Sequence, residues 1–158
     1  MKNLSRLPPW LAGYAVVRRM HQLEAAGQSA EAMALAVSAQ HDAPSLAVGL
    51  ALAQRLRAAG DLDGPARTLG FAPLLKSFEP GEWALAREVA QLLDACGRPA
   101  RAFEMWRNLL SGSALPREVR LPWLADARAT ALGARECVQA SAWLIEIDRP
   151  NEPQTPRL

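Results

Sequence analysis

The side chains most capable of chemistry in this chain are two histidines and two cysteines, His21, His41, Cys96 and Cys137. The near-neutral pKa of imidazole suits proton transfer, and Asp42 follows His41 as an orienting carboxylate could. Sequence neighbours on a helix do not face each other, however, and the sequence places no serine or cysteine nucleophile beside either histidine. The histidines are 20 residues apart and the cysteines 41, too far for a metal-ligand set or a redox motif. We therefore predict no catalytic residue, no metal site and no cofactor.

Composition and charge narrow the class of partner. Half of the 158 residues are apolar but only 6% are aromatic, and alanine and leucine dominate, which favours closely packed helices. Lysine and arginine number 18 against 16 acidic residues, and the two signs alternate, so no basic stripe predicts nucleic acid or anionic lipid as a partner. No stretch reaches the roughly 20 apolar residues of a membrane span. We expect one soluble domain in the cytoplasm, with no membrane or nucleic-acid partner.

A Leu-x-x-x-Gly phrase recurs along the chain and predicts the elements that position these side chains. It reads Leu23-Glu-Ala-Ala-Gly27, Leu56-Arg-Ala-Ala-Gly60 and Leu93-Asp-Ala-Cys-Gly97, at intervals of 33 and 37 residues. Glycine favours the left-handed turn that ends a helix, and such a period is typical of stacked helical hairpins. Gly133, 36 residues after Gly97, predicts a fourth turn, although Ala129 stands where the phrase would have leucine.

The apolar pattern between the turns predicts one helical domain over residues 13–148, between an N-terminal arm at 1–12 and a disordered tail at 149–158. The expected helices cover about residues 13–26, 29–40, 46–59, 82–96, 99–110, 122–132 and 134–147. Gly70 and Pro73 interrupt the segment 66–78, so two short helical pieces are predicted there. Helix 82–96 has two apolar stripes and one polar stripe, which indicates a helix packed between neighbours.

The repeated unit resembles the tetratricopeptide repeat (TPR), a helix-turn-helix unit of about 34 residues. The matching residues are Leu23, Leu56 and Leu93 at the large position, Ala53 and Ala90 at the small position, Ala32 and Ala102 early in the second helix, and Pro44 at the end of a unit. Met20 and Pro65 depart from the pattern, at a small position and at an alanine position. The resemblance covers about residues 13–147. It implies an all-α fold, a right-handed superhelical array (an α-solenoid) of three to four antiparallel helix hairpins.

The same resemblance implies a concave groove that receives an extended or helical segment of a partner protein. Mapped by position, the groove-lining residues are Tyr14, Val17, His21 and Glu24 from the first unit, Ala47, Leu50, Gln54 and Arg57 from the second, and Ala84, Arg87, Gln91 and Asp94 from the third. Some members bind a terminal carboxylate through a basic clamp, whose positions are filled here by Val17, His21, Ala84 and Glu88. We therefore expect a longer segment, held by backbone-directed hydrogen bonds and a few side-chain pockets.

Three classes of function remain open at this level. The leading one is a non-catalytic protein-protein interaction module, such as an adaptor, a chaperone or a small subunit of a larger assembly. The alternatives are a helical-repeat nucleic-acid binder, against which the balanced charge counts, and a solenoid enzyme, which would need a cluster of titrating residues. Apolar end surfaces also predict a homodimer, through residues 122–147 or through residues 7–14.

Overall fold

The computed structural model describes residues 7–149, which form eight α-helices and contain no strand. The helices are α1 (Pro9–Ala25), α2 (Ser29–Asp42), α3 (Leu46–Ala58), α4 (Gly64–Thr68), α5 (Trp83–Ala95), α6 (Pro99–Gly112), α7 (Arg117–Gly133) and α8 (Cys137–Asp148). Two short 3₁₀ turns, Ala72–Leu74 and Pro80–Glu82, lie between α4 and α5. The all-α class is confirmed for this range. The rest of the predicted arm and tail, residues 1–6 and 150–158, lies outside the described residues.

The helices pack in consecutive pairs. Helix α1 packs against α2, α3 against α4, α5 against α6 and α7 against α8. The first helices of successive pairs are also neighbours, because α1 contacts α3 and α3 contacts α5. Second helices also contact the pair that follows, since α2 contacts α3 and α6 contacts α7. Below, "first helices" means α1, α3, α5 and α7.

Four equivalent turns follow the first helices, and each has the same hydrogen bond. The backbone N–H of Gln28, Asp61, Arg98 and Glu136 donates to the carbonyl five residues earlier, of Leu23, Leu56, Leu93 and Ala131, at 2.8, 3.0, 2.9 and 2.8 Å. The residue before each donor is left-handed, with φ of 76° at Gly27, 89° at Gly60, 74° at Gly97 and 62° at Arg135. This combination is the Schellman motif. The leucine of the phrase therefore supplies the carbonyl that closes each of the first three turns.

The fourth turn corrects the sequence prediction by two residues. Gly133 is the last residue of α7, and the left-handed position belongs to Arg135. The counterpart of the repeated leucine is Ala131, which is fully buried, and not Ala129, which is exposed. Burial of Ala131 sets where the turn falls, although an arginine must then adopt a conformation that costs an L-residue roughly 1 kcal/mol or more.

The corrected register reveals a repeated alanine in the second helices. Ala32, Ala102 and Ala140 each lie five residues after the left-handed residue of their turn, and their exposed fractions are 0%, 0% and 2%. A methyl side chain at that point lets the paired helices approach closely. Met20, at a small position of the repeat pattern, is also fully buried, so the first pair accommodates a long side chain there.

Two groups of buried side chains make up the core. The main cluster extends from α3 to α8 and includes the fully buried Trp106. A smaller cluster joins α1, α2 and α3, and it consists of Met20, Leu23, Ala32, Ala36, Val48, Ala51 and Leu52. Helix α3 contributes to both, with Leu46 and Leu50 in the main cluster and Val48 and Leu52 in the smaller one.

The segment between α4 and α5 consists of short pieces, as predicted from Gly70 and Pro73. Helix α4 has five residues, and a 3₁₀ turn of three residues follows it. Leu69 and Ala72 are fully buried and fix the segment to the main cluster. The Asn108 side-chain amide of α6 donates a hydrogen bond of 2.9 Å to the Pro73 carbonyl. Packing and one buried polar contact therefore replace the missing helical turns.

Two helices begin earlier than predicted. Helix α1 starts at Pro9, inside the predicted arm, because proline is tolerated at a first helical position where its missing N–H has no partner. Helix α7 starts at Arg117 and contains Pro122. The first turn of α7 is held by Arg120. Its guanidinium donates to the Glu146 carboxylate at 2.5 and 3.2 Å and also to the Leu110 carbonyl.

Candidate partner-binding groove

A cleft of about 670 Å³ lies between α3 and α5. Its lining residues are Leu50, Gln54, Arg57 and Ala58 from α3 and Glu88, Gln91, Leu92 and Ala95 from α5. The buried Leu50 and Leu92 give it an apolar floor, and the exposed polar side chains form its rim. Their spacing follows from the helix period, since residues three or four apart share one helix face.

A second cavity of about 370 Å³ continues this cleft toward α7. The two share Gln91 and Ala95 as lining residues. The second cavity also contacts Asp94, Trp106, Asp126, Ala129 and Thr130. Together they form one groove across α3, α5 and α7, called the groove below.

Polar contacts join neighbouring first helices at equivalent positions of the repeat. Glu24, directly after the repeated Leu23, accepts hydrogen bonds of 2.9 and 2.5 Å from the Arg55 guanidinium of α3. Asp94, directly after the repeated Leu93, accepts one of 3.1 Å from the Thr130 hydroxyl of α7. Arg55 and Thr130 each precede the repeat position of their own helix. The hydrogen bond from Arg55 lowers the pKa of the Glu24 carboxyl, and the same bond raises the pKa of Arg55.

The junction between α3 and α5 lacks this contact. The equivalent positions there are Arg57, directly after Leu56, and Leu92, directly before Leu93. Leucine cannot accept a hydrogen bond, and within residues 7–149 Arg57 has no ion pair or side-chain hydrogen bond. The cleft lies at this junction, with Arg57 on its rim and Leu92 in its floor. One break in the repeated pairing therefore leaves a guanidinium available to a ligand.

A buried donor at the second cavity also lacks a partner. Trp106 is fully buried, and its indole Nε1 has no acceptor among the described residues. Trp106 lines that cavity beside Asp126 and Thr130. An unsatisfied buried donor costs about 1–3 kcal/mol of folding stability.

Five of the eight predicted groove residues of the second and third units line the two cavities, whereas Ala47, Ala84 and Arg87 line neither. Leu50, Gln54, Arg57 and Gln91 line the first cleft, and Gln91 and Asp94 line the second cavity. Arg87 is engaged elsewhere. Its guanidinium lies 3.3 Å from the Asp126 carboxylate, and its central carbon lies 5.6 Å from the centroid of the Trp123 ring, so it ties α5 to α7.

The predicted residues of the first unit line neither cavity. The Tyr14 hydroxyl donates a 2.6 Å hydrogen bond to the Gly81 carbonyl, and burial, together with the charges of nearby Glu82 and Glu88, raises the pKa of this hydroxyl. Val17 packs against the smaller core cluster. His21 is exposed, and Glu24 is held by Arg55. The groove as formed therefore begins at α3.

The sequence prediction missed several groove residues. Glu88, Leu92 and Ala95 were not assigned to the groove, although the spacing from Gln91 could have indicated Glu88 and Ala95. Asp126 and Thr130 of α7 were missed because the sequence mapping of the groove covers only the first three units. With the turn at Arg135, Thr130 falls directly before the repeat position, where Arg55 stands in α3.

The residues considered for catalysis are scattered. His41 Nδ1 lies 3.3 Å from the Asp42 carboxylate, so these sequence neighbours do meet at the end of α2, contrary to expectation, but both side chains are more than three-quarters exposed. Cys96 is partly buried and Cys137 is exposed, and both are free thiols. Over residues 7–149, no group of three histidine, cysteine or acidic side chains is arranged to hold a metal ion. No helix in the same range has the length and apolar character to cross a membrane.

Comparison with known proteins gives one partial similarity. No family model matches the sequence, and no solved structure matches it. Over 83 residues the chain is 36% identical to BURP domain-containing protein 11 of Oryza sativa subsp. japonica, which covers 52% of this chain and 24% of that protein. The chain therefore spans about a quarter of the length of this relative. A match of this extent does not show a family. The function proposed below is therefore argued from the geometry of the groove.

Proposed function

We propose that this chain is a non-catalytic interaction module of the TPR-like kind, which holds a segment of a partner protein in the groove across α3, α5 and α7. The observation that carries the proposal is the missing cross-helix contact at Arg57 and Leu92, which leaves a polar rim over an apolar floor. A cytoplasmic adaptor, chaperone or small assembly subunit is the role that fits such a module.

The chemistry of the groove matches a peptide segment. The first cleft alone falls within the roughly 300–1,000 Å³ typical of ligand sites. Gln54 and Gln91 each carry a donor and an acceptor, as a peptide backbone does. Arg57 presents the planar donor set that binds carboxylates, and Leu50 and Leu92 offer apolar contact. An extended segment with an apolar side chain and a nearby carboxylate would satisfy these groups together.

The repeat geometry supports the TPR-like part of the proposal. Four helix pairs share a Schellman turn, and three of them bury an alanine five residues after it. Stacked pairs of this kind form a superhelix whose first helices line the concave face. We place the groove on that face of a right-handed array.

A pull-down from the native host, with the purified chain as bait, tests the binding role. The variant carries Gln54→Ala, Arg57→Ala and Gln91→Ala, three exposed positions whose loss should not affect folding. Arg87 is kept, because it stabilises the contact between α5 and α7. Lys76→Ala, an exposed site that lines neither cavity, is the control for loss of a positive charge.

The expected result is a protein retained by the native chain and by the control but lost by the triple variant, with circular dichroism unchanged throughout. Nuclease treatment of the lysate excludes retention through nucleic acid. Equal retention by the triple variant and the native chain would refute binding in the groove, and retention that disappears after nuclease treatment would favour the nucleic-acid alternative.

A further inference from the structure

The outer face of α8 is apolar and exposed. Ala140 and Trp143 turn inward and are buried, whereas Val138 and Ile145 are 88% and 61% exposed. Val138 and Ile145 lie seven residues apart, so they share one stripe of the helix surface. Ser141 and Ala142 lie between them and are exposed as well.

Each end of α8 carries one positive and one negative side chain. Arg135 and Glu136 directly precede the helix, and Asp148 and Arg149 lie at its end. All four residues are exposed, and none of their side chains forms an ion pair within residues 7–149. The apolar stripe is thus bounded at both ends by charged side chains that form no ion pair among the described residues.

This pattern is complementary to itself when two copies run antiparallel. The midpoint between Ser141 and Ala142 is equally far from Val138 and Ile145, and equally far from Arg135 and Asp148. A two-fold axis through that midpoint therefore places Val138 of one copy opposite Ile145 of the other. It also places Arg135 opposite Asp148. A parallel pair would instead place like charges together, which is unfavourable.

We infer that this face is the interface of a homodimer in which two α8 helices pack antiparallel about an axis between Ser141 and Ala142. The small side chains at the crossing point let the helices approach to the 8–10 Å of a packed pair. Such an interface is isologous, because each patch meets its own copy. One helix face is smaller than the roughly 800 Å² per partner of a stable complex, so the dimer forms in a concentration-dependent way. This inference does not depend on the proposed function of the groove.

Sedimentation equilibrium of the full chain, between about 1 μM and about 300 μM, tests the dimer. The average mass should rise from one chain toward two. Val138→Glu and Ile145→Lys should each weaken self-association at least about tenfold, because each buries a charge opposite an apolar side chain. Val37→Glu is the matched control, since Val37 is 54% exposed but lies on α2, and it should associate like the native chain.

Mixing the two single variants tests the antiparallel register. In the mixed pair the carboxylate introduced at position 138 faces the ammonium introduced at position 145, while the second contact stays apolar. The mixture should therefore dimerise when neither variant does alone. A native chain that stays monomeric over the whole range overturns the inference, and so does a mixture that stays monomeric. A chain that dimerises only when shortened to end at Arg149 would also overturn it, by showing that residues 150–158 occupy the face.

Discussion

The substitution Gly133→Ala tests the register of the last helix pair. Gly133 ends α7 without a positive φ, and a Cβ added there would meet only the Pro99 side chain, at 3.9 Å. Alanine is favoured over glycine by about 1 kcal/mol inside a helix, and we expect about half of that at a last helical position. The variant should therefore gain about 0.5 kcal/mol in the free energy of unfolding.

The comparison variant is Gly97→Ala. Gly97 occupies the left-handed position of the third turn with a φ of 74°, and an added Cβ would meet nothing within 4 Å. Steric overlap with a neighbour is therefore absent, and the cost is that of the backbone conformation alone, about 1–2 kcal/mol. Gly133→Ala should thus raise the free energy of unfolding and Gly97→Ala should lower it. The two variants should differ from each other by about 2 kcal/mol. For a chain of this size each kcal/mol shifts the Tm by about 2–4 °C.

Urea denaturation followed by circular dichroism at 222 nm measures both changes, with the slope of the transition checked for equality among the three proteins. The sequence alone, with its glycine spacing, predicts that both variants are destabilised, because it places Gly133 in a turn. A Gly133→Ala variant that loses as much stability as Gly97→Ala would refute the turn at Arg135.

The local surroundings of three residues determine how single substitutions change stability. The hydrogen bonds from Arg120 lower the pKa of the Glu146 carboxyl. The stabilisation that they provide is therefore present above the pKa of the unfolded glutamate and is lost as the pH falls through the folded pKa. The free energy of unfolding should fall less steeply with acid in Glu146→Gln than in the native chain. Trp106→Phe removes an indole N–H without an acceptor, so urea denaturation should show only the cost of a smaller ring in the core, about 1–3 kcal/mol, and a clearly larger loss would mean that the N–H is bonded. Gly112→Ala should lose about 1–3 kcal/mol in a thermal melt, because the new Cβ would overlap the Lys76 carbonyl oxygen.

Local sequence rules predicted the first three turns and most helices, because one residue type decides each of those features. Gly27, Gly60 and Gly97 are the left-handed residues that their spacing indicated. The fourth turn was misplaced because a buried alanine outweighed the conformational preference of glycine, and burial of Ala131 depends on contacts made far along the chain. Local rules also placed the starts of α1 and α7 too late, at about residues 13 and 122, whereas the helices begin at Pro9 and Arg117.

The groove was predictable in part for a similar reason. Position within the repeat assigned Leu50, Gln54, Arg57 and Gln91 to one surface, and these four residues line the cleft between α3 and α5. It could not indicate that Glu24 and Arg87 are engaged by side chains of neighbouring helices. Those contacts depend on the residue that each neighbour presents, and the repeat pattern does not specify that residue.

The division of the core has a consequence for cooperativity. Helices α1 and α2 are held mainly by the smaller cluster, and α3 has one set of side chains in each cluster. Opening of α1 and α2 would expose few buried side chains and leave the main cluster intact, so amide protons in these helices exchange by local opening, before global unfolding. Helix α3 would keep Leu46 and Leu50 packed during that opening. The wall of the groove that α3 supplies thus persists while the N-terminal pair opens and closes.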